Sequence, residues 1–311
     1  MRTVDLRVSA IVCAYSDKRR HQLGTALDSI RSQDTPPLEI IAVIDHNRAL
    51  QEQISAEYPD VKTISNAGPQ GPSASRNTGI QCAKGEIVAF LDDDAVADAG
   101  WLTRMLSHYA DPNVIGVGGA AIPQWPQQRP KWFPDEFDWV IGCSYRGQPK
   151  HVAPVRNLWG CNMSLRRDLF GRIDGFREAI GEGNGGKGCE ETELCIRATQ
   201  AFPQSTIVYD PELTVRHHVA ADRTHWRYFH SRCVAEGRSK AQVVNEVGAR
   251  DGLSSERNYV TRILPAGIVR GVGDAVLRFD PWGLARAGSI VAGLSCTMWG
   301  YVCARWSNRR V

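Results

Sequence analysis

The first 120 residues alternate between short apolar runs and stretches that carry an apolar stripe at helical spacing. Val8–Ala14, Glu39–Ile44, Val61–Ile64, Ile87–Leu91 and Val114–Val117 are runs of strand length. Between them, His21–Gln33 places Leu23, Ala26, Leu27 and Ile30 on one helical face. Further helices are predicted over Leu50–Tyr58, from near Ser73 to near Lys84, and over Trp101–Tyr109. Strands that repeatedly give way to amphipathic helices predict an α/β fold with a mainly parallel sheet flanked by helices. Ligands of such sheets bind beyond the carboxyl ends of the strands. Asp45 and the triplet Asp92, Asp93 and Asp94 fall at two such ends.

The pattern changes after residue 120. Pro123–Pro154 is rich in Pro, Trp and Gln, and a long irregular segment of this kind suits a binding loop better than a linker. A helix is predicted over Glu190–Phe202 and a strand over Ser205–Tyr209. Beyond His217 and His218 the chain turns helical, over Thr224–Glu236, Ser239–Glu246 and two basic segments after Asn258. Two domains are therefore expected, 1–221 and 222–311. From Asp251 to Val311, eight arginines and no lysine face four acidic residues, a net of +4, and flank an uncharged run from Ala287 to Ala304. That run is short and Gly/Ala-rich for a bilayer span of about 20 residues. It suits a helix lying on an anionic membrane surface or a terminal helix packed into the core, and the pattern leaves both open.

Composition narrows the class. A chain of 311 residues that is 42% hydrophobic and 23% charged has room for a large core. A net charge of +3 gives no basis for nucleic-acid binding. Nine cysteines, without a C-x-x-C pair, suit reduced thiols in a cytoplasmic protein. Met1–Arg7 leads straight into the first strand, so no secretory leader is expected. His225, His230 and Cys233 match no zinc-finger spacing. Gly183–Gly188 formally matches G-x-G-x-x-G, but no strand leads directly into it.

The aspartate triplet carries the most chemistry. Three adjacent carboxylates repel one another, and a hard divalent cation shared with a phosphate-bearing substrate would relieve them. A solvated turn is the plain alternative. Other segments, in order, change the balance: Ile11–Tyr15, Ile44-Asp45, Gly71–Ile80 (close to G-x-S-x-x-R-N-x-G), Phe90–Asp94 (D-x-D), Trp159–Ser164 (G-x-N-x-x) and Gly188–Leu194 (close to G-x-E-D-x-E-L). Together they resemble the family 2 inverting glycosyltransferases of GT-A fold, of bacterial type, over roughly residues 8 to 220.

The resemblance implies roles. Asp94 and His217 would ligate Mn2+ or Mg2+, with His218 as the rival to His217. Asp92 would contact the ribose or sugar of the donor, Asp93 would contribute through its backbone, and Ala14 and Tyr15 would border the donor. Asp45 would accept from the base, and Arg76 would approach the base or diphosphate. Trp159, Gly160 and Asn162 would lie on the acceptor side, and Trp125, Trp132 and Trp139 would stack on sugars unless they serve the core. Glu191, standing where the family usually has Asp, would be the general base, with Glu190 as the alternative. The segment around Gly183–Lys187 would be a flexible loop over the acceptor.

The implied reaction moves a sugar from a nucleotide-sugar donor, most simply a UDP-sugar, to a glycan or lipid-linked acceptor. The basic tail adds an anionic membrane surface as a partner, and the expected location is cytoplasmic, peripheral at the inner face of the plasma membrane, in cell-envelope polysaccharide synthesis. A sugar nucleotidyltransferase is the rival, but such enzymes carry a Gly-rich loop after the first strand, where this chain has Cys13–Asp17. A carbohydrate-binding relative without catalysis is the other.

Overall fold

The computed structural model describes residues 6–180 and 188–307. They form two compact units. The first takes the chain up to Ile122, with Pro149–Glu178 and Glu190–His217; the second takes Pro123–Gln148, the described part of Ala179–Cys189, and the chain from His218 onward.

The first unit is organised by a nine-stranded mixed sheet in the order β3-β2-β1-β4-β8-β6-β9-β5, with β7 paired to β9. Strands β1 (Val8–Ala14), β2 (Glu39–Ile44), β3 (Lys62–Ser65) and β4 (Ile87–Asp92) are the parallel part. The pairings of β5 (Ala95–Ala97), β6 (Val114–Gln124), β7 (Ala153–Pro154), β8 (Asn162–Arg166) and β9 (Thr206–His218) are antiparallel where the register is defined. Helices α1 (Arg20–Arg31), α2 (Arg48–Glu57), α3 (Pro72–Cys82) and α4 (Trp101–His108) connect the early strands; the single turn α5 (Phe170–Ile173) and α6 (Glu190–Ala201) follow β8. The strand pleat divides β1 between two cores. Val8, Ala10, Val12 and Ala14 pack with Leu23, Leu27, Leu50 and Met105 on one face, and Ile11 packs with Ile80, Leu165 and Leu194 on the other.

The α/β fold and its early elements form as expected. The late strands differ from expectation in extent. β9 runs to His218, well past Tyr209, because ladder pairing carries the chain through the polar Asp210–Glu212 that interrupts its apolar pattern. β6 likewise continues through Gly118 and Gly119. A Cβ on Gly119 would lie 1.9 Å from the Leu213 carbonyl oxygen, so glycine there permits the close approach of β9.

The second unit is helical. After a 3-10 segment at Asp135–Ile141, it contains α7 (Trp226–Val247), short turns α8 (Ala249–Gly252) and α9 (Ser254–Asn258), a π-helical turn at Tyr259–Ile263, α10 (Leu264–Leu277) and α11 (Trp282–Ser307). Its core joins Phe133, Phe137 and Phe229 to Leu264 and Ile290, and Trp125, Trp132 and Trp139 pack against it. Those three tryptophans therefore build the core. The break expected near Gly237 does not occur, and α7 is continuous. Gly237 serves packing instead: a Cβ there would lie 2.0 Å from the Thr297 carbonyl oxygen of α11, as one on Gly300 would lie 2.1 Å from that of Val234.

Candidate active site

The residues expected on the donor side lie where β1, β2 and β4 end. Asp45 follows β2 and is buried. Its Oδ2 accepts from Gly71 N–H (2.9 Å), and its Oδ1 accepts from Asn66 Nδ2 (2.7 Å) and contacts His46 Nδ1 at 2.8 Å. A carboxylate has about four acceptor positions, so one remains for a ligand. Ala14 is buried at the end of β1, and Tyr15 beyond it is exposed, with the Arg19 guanidinium 5.7 Å from its ring centroid.

Helix α3 shows why its motif has these residues. Gly71 adopts φ +142°, a backbone region that favours glycine, and Pro72 opens the helix. Ser75 Oγ donates back to the Gly71 carbonyl (2.9 Å). Gly79 lets the helix approach β1, since a Cβ there would lie 2.7 Å from Ile11 Cγ2. Asn77 holds Phe176 by both backbone groups, donating to its carbonyl (2.8 Å) and accepting from its N–H (2.7 Å). The Arg76 guanidinium rests 5.3 Å from the Phe176 ring centroid. It is buried between carboxylates, 2.7 Å from Glu190 and 3.4 Å from Asp92. Gly160 makes room for it: a Cβ there would lie 2.7 Å from Arg76 Nη2.

The triplet is split by strand geometry. Asp92 ends β4 and is partly exposed, whereas Asp93 and Asp94 turn the chain toward β5 and are buried. Arg19, which the sequence reading passed over, lies 3.0 Å from both Asp93 Oδ1 and Asp94 Oδ2. Burial, with Asp94 alongside, pushes the Asp93 carboxyl up to about 7 despite Arg19. Its Oδ2 is a buried oxygen without a hydrogen-bond partner. Burial also drives the neighbouring Cys13 thiol up to about 12. The alternation of β9 buries His217, whose Nε2 is 3.2 Å from Asp94 Oδ1, and leaves His218 partly exposed.

Ligating atoms of Asp92, Cys161 and His217 lie within 4.8 Å of one another. The set fits a divalent cation: it offers a carboxylate, an imidazole and a thiol. Cys161 was not singled out from the sequence. Its only signal was its place between Gly160 and Asn162.

Asn162 is fully buried, with Nδ2 donating to the carbonyls of Ala120 (3.1 Å) and Leu213 (2.8 Å) and Oδ1 accepting from Trp101 Nε1 (2.8 Å). Those bonds tie β8 to β6, β9 and Trp101. Trp159 is half-buried against the first core. In the first turn of α6, Glu190 is paired with Arg76, and Glu193 is held by Arg197 (2.7 and 2.8 Å) and Arg177 (3.2 Å). Glu191 is half-buried and close enough to help raise the Arg76 pKa. The loop expected at Gly183–Lys187 lies outside the described residues.

The carboxyl ends of the parallel strands thus carry four aspartates and lie beside a buried arginine, first-turn glutamates and a histidine from later elements. The comparisons with known proteins identify the family. The model of Glycosyl transferase family 2 matches residues 9–174, over half of the chain. A glucosyl-dolichyl phosphate glucuronosyltransferase from Haloferax volcanii is 31% identical over 240 residues, spanning 76% of this chain and 76% of the relative. A mannosyltransferase from Pyrobaculum calidifontis, solved with GDP-Man and Mn2+, superposes with a TM-score of 0.63 at 18% identity, covering 96% of this chain and 88% of that one. TarS from S. aureus, in complex with UDP, gives 0.51 at 16% identity over 98% and 92%. The protein belongs to glycosyl transferase family 2 and is a glycosyltransferase of GT-A-like fold with a C-terminal helical stretch. Membership sets aside both the nucleotidyltransferase and the non-catalytic alternatives.

Proposed function

We propose a metal-dependent, inverting glycosyltransferase that moves a sugar from a nucleotide donor, most simply a UDP-sugar, to a glycan or lipid-linked acceptor. The observation that carries it is the convergence of Arg76, Asp92, Asp94 and His217 where β1 and β4 end. Asp45 accepts from the base, and Arg76 faces the diphosphate. Asp92, Asp94 and His217 would hold Mn2+ or Mg2+, which would stabilise the charge growing on the departing nucleoside diphosphate. Glu191 takes the proton of the acceptor hydroxyl as that oxygen bonds to C1 from the face opposite the breaking bond, inverting the centre. The catalytic domain spans 1–221 in this reading. A nucleotide-sugar donor is in keeping with the GDP-Man and UDP complexes of the two solved structures, and a lipid-linked acceptor with the haloarchaeal relative.

The helical region 222–311 supplies the membrane contact. α11 is a 26-residue helix with a mean hydropathy of 1.3 in its most apolar window. Its inner face packs on α7, and its outer face exposes Leu284, Val291, Met298, Trp299, Val302 and Trp306. α10 adds Val269, Val272 and Val276. A cavity of about 380 Å³, lined by residues of 129–146 as well as of α10 and α11, carries six cationic side chains, most of them ion-paired, against three carboxylates, an excess that favours an anionic neighbour. We place the enzyme peripherally at the cytoplasmic face of the membrane, in cell-envelope glycan synthesis.

A panel of nucleotide sugars, screened for thermal stabilisation with and without Mn2+, tests the donor assignment. The expected result is stabilisation by a UDP-sugar in the presence of metal, with slow release of UDP. Absence of stabilisation by every nucleotide sugar would sink it.

A further inference from the structure

Cys161 carries an assignment that none of the family motifs requires. The β4–β8 register ends with Leu91 opposite Asn162, and Asp92 and Cys161 are the residues just beyond that pair. His217, opposite Ala95 in the β5–β9 pairing, brings its ring to the same point. The three ligating atoms fall within 4.8 Å of one another while coming from three separate strand ends. Cys161 is also tightly placed. Trp159 and Asn162 close a bridge around it, and the three hydrogen bonds of Asn162 fix the next residue to β6, β9 and Trp101. Cys161 also belongs to the first apolar core, but packing there would not require a carboxylate and an imidazole to converge on the sulfur.

We propose that Cys161 is a metal ligand and that its sulfur makes the site select a thiophilic cation. The inference rests on the metal-dependent reading above and adds a preference to it. Carboxylates alone suit Mg2+ and Mn2+ and an imidazole already leans toward transition metals, whereas a thiolate favours Zn2+ and Co2+ strongly over Mg2+. On coordination the thiol gives its proton to solvent and the sulfur forms one bond to the metal. The sulfur should therefore widen the preference for Zn2+ over Mg2+ beyond what the carboxylate and imidazole give.

Titration of the full-length, metal-free protein with Co2+ tests this by spectroscopy, without any assay of transfer. The expected result is a near-ultraviolet sulfur-to-cobalt charge-transfer band that saturates at one Co2+ per chain. Cys161→Ser should lose the band and still bind Co2+ by calorimetry. Its Zn2+ affinity should fall by at least about tenfold, the scale on which even outer partners of a metal matter, with Mg2+ affinity little changed. Cys13→Ser, a neighbouring thiol, should keep the band. Co2+ bound without the band, or a band that survives in Cys161→Ser, overturns the assignment and leaves a metal site standing. Should wild-type protein bind no Co2+ at all, both this inference and the metal-dependent reading fall.

Discussion

Arg76 lies 2.7 Å from Glu190, 3.4 Å from Asp92, and over the ring of Phe176. Removing the charge of Glu190 leaves this buried cation short of a partner, and breaking a buried pair costs about 3–5 kcal/mol. Glu190→Gln is therefore expected to lower stability toward urea by several kcal/mol and to weaken nucleotide binding. Glu191→Gln should keep the melting temperature and donor binding and remove transfer; normal turnover by that variant would end its assignment as base. Asp94→Ala should abolish metal-dependent stabilisation by the donor, measured as the shift in melting temperature with Mn2+. At this scale the sequence was informative where a residue type has few other uses. The triplet, Arg76 and the first-turn glutamates stood out by charge. Arg19 and Cys161 did not, because a surface-type arginine and a core-type cysteine acquire their meaning from strands distant in sequence.

Helices α7 and α11 meet through glycine. Helix propensity alone predicts that Gly237→Ala and Gly300→Ala each stabilise by up to about 1 kcal/mol. The contact geometry predicts the reverse, because each new methyl would meet a carbonyl oxygen at 2.0 or 2.1 Å. Both variants should lose about 1–3 kcal/mol in chemical denaturation, and the double variant should lose less than the sum because the two sites share one seam. The same logic explains which elements were legible. β1–β4 and α1–α4 announce themselves through local periodicity. β8 did not, since its five residues mix Asn, Ser and Arg with two apolar positions. Its partners on both sides decide that it is a strand. Gly237 similarly looks like a helix stop until the opposing helix is in place.

At the scale of the molecule, the helical unit keeps a wide apolar surface outside its core. Trp299 and Trp306 are 65% and 66% exposed, and Phe279, between α10 and α11, is 88% exposed. Patches of this kind mark interaction sites on soluble proteins. Binding to vesicles containing anionic lipid is expected, with Trp299→Glu and Trp306→Glu together reducing the bound fraction severalfold in a sedimentation assay without changing the melting temperature in buffer. Unchanged partitioning would exclude this face. Truncation would answer less clearly, since Leu264 and Ile290 belong to the core of the unit.

The glycine seam has a thermodynamic consequence for such a membrane contact. α11 cannot leave α7 to insert on its own without uncovering Phe137 and Phe229, against which Gly293 sits. Lipid would therefore act as a ligand of the folded helical unit alone, and its binding energy would be linked to the unfolding equilibrium. Vesicles should raise the unfolding temperature of the protein in proportion to the logarithm of lipid concentration, so that detachment from the membrane is felt as a loss of stability and not only as a change of place.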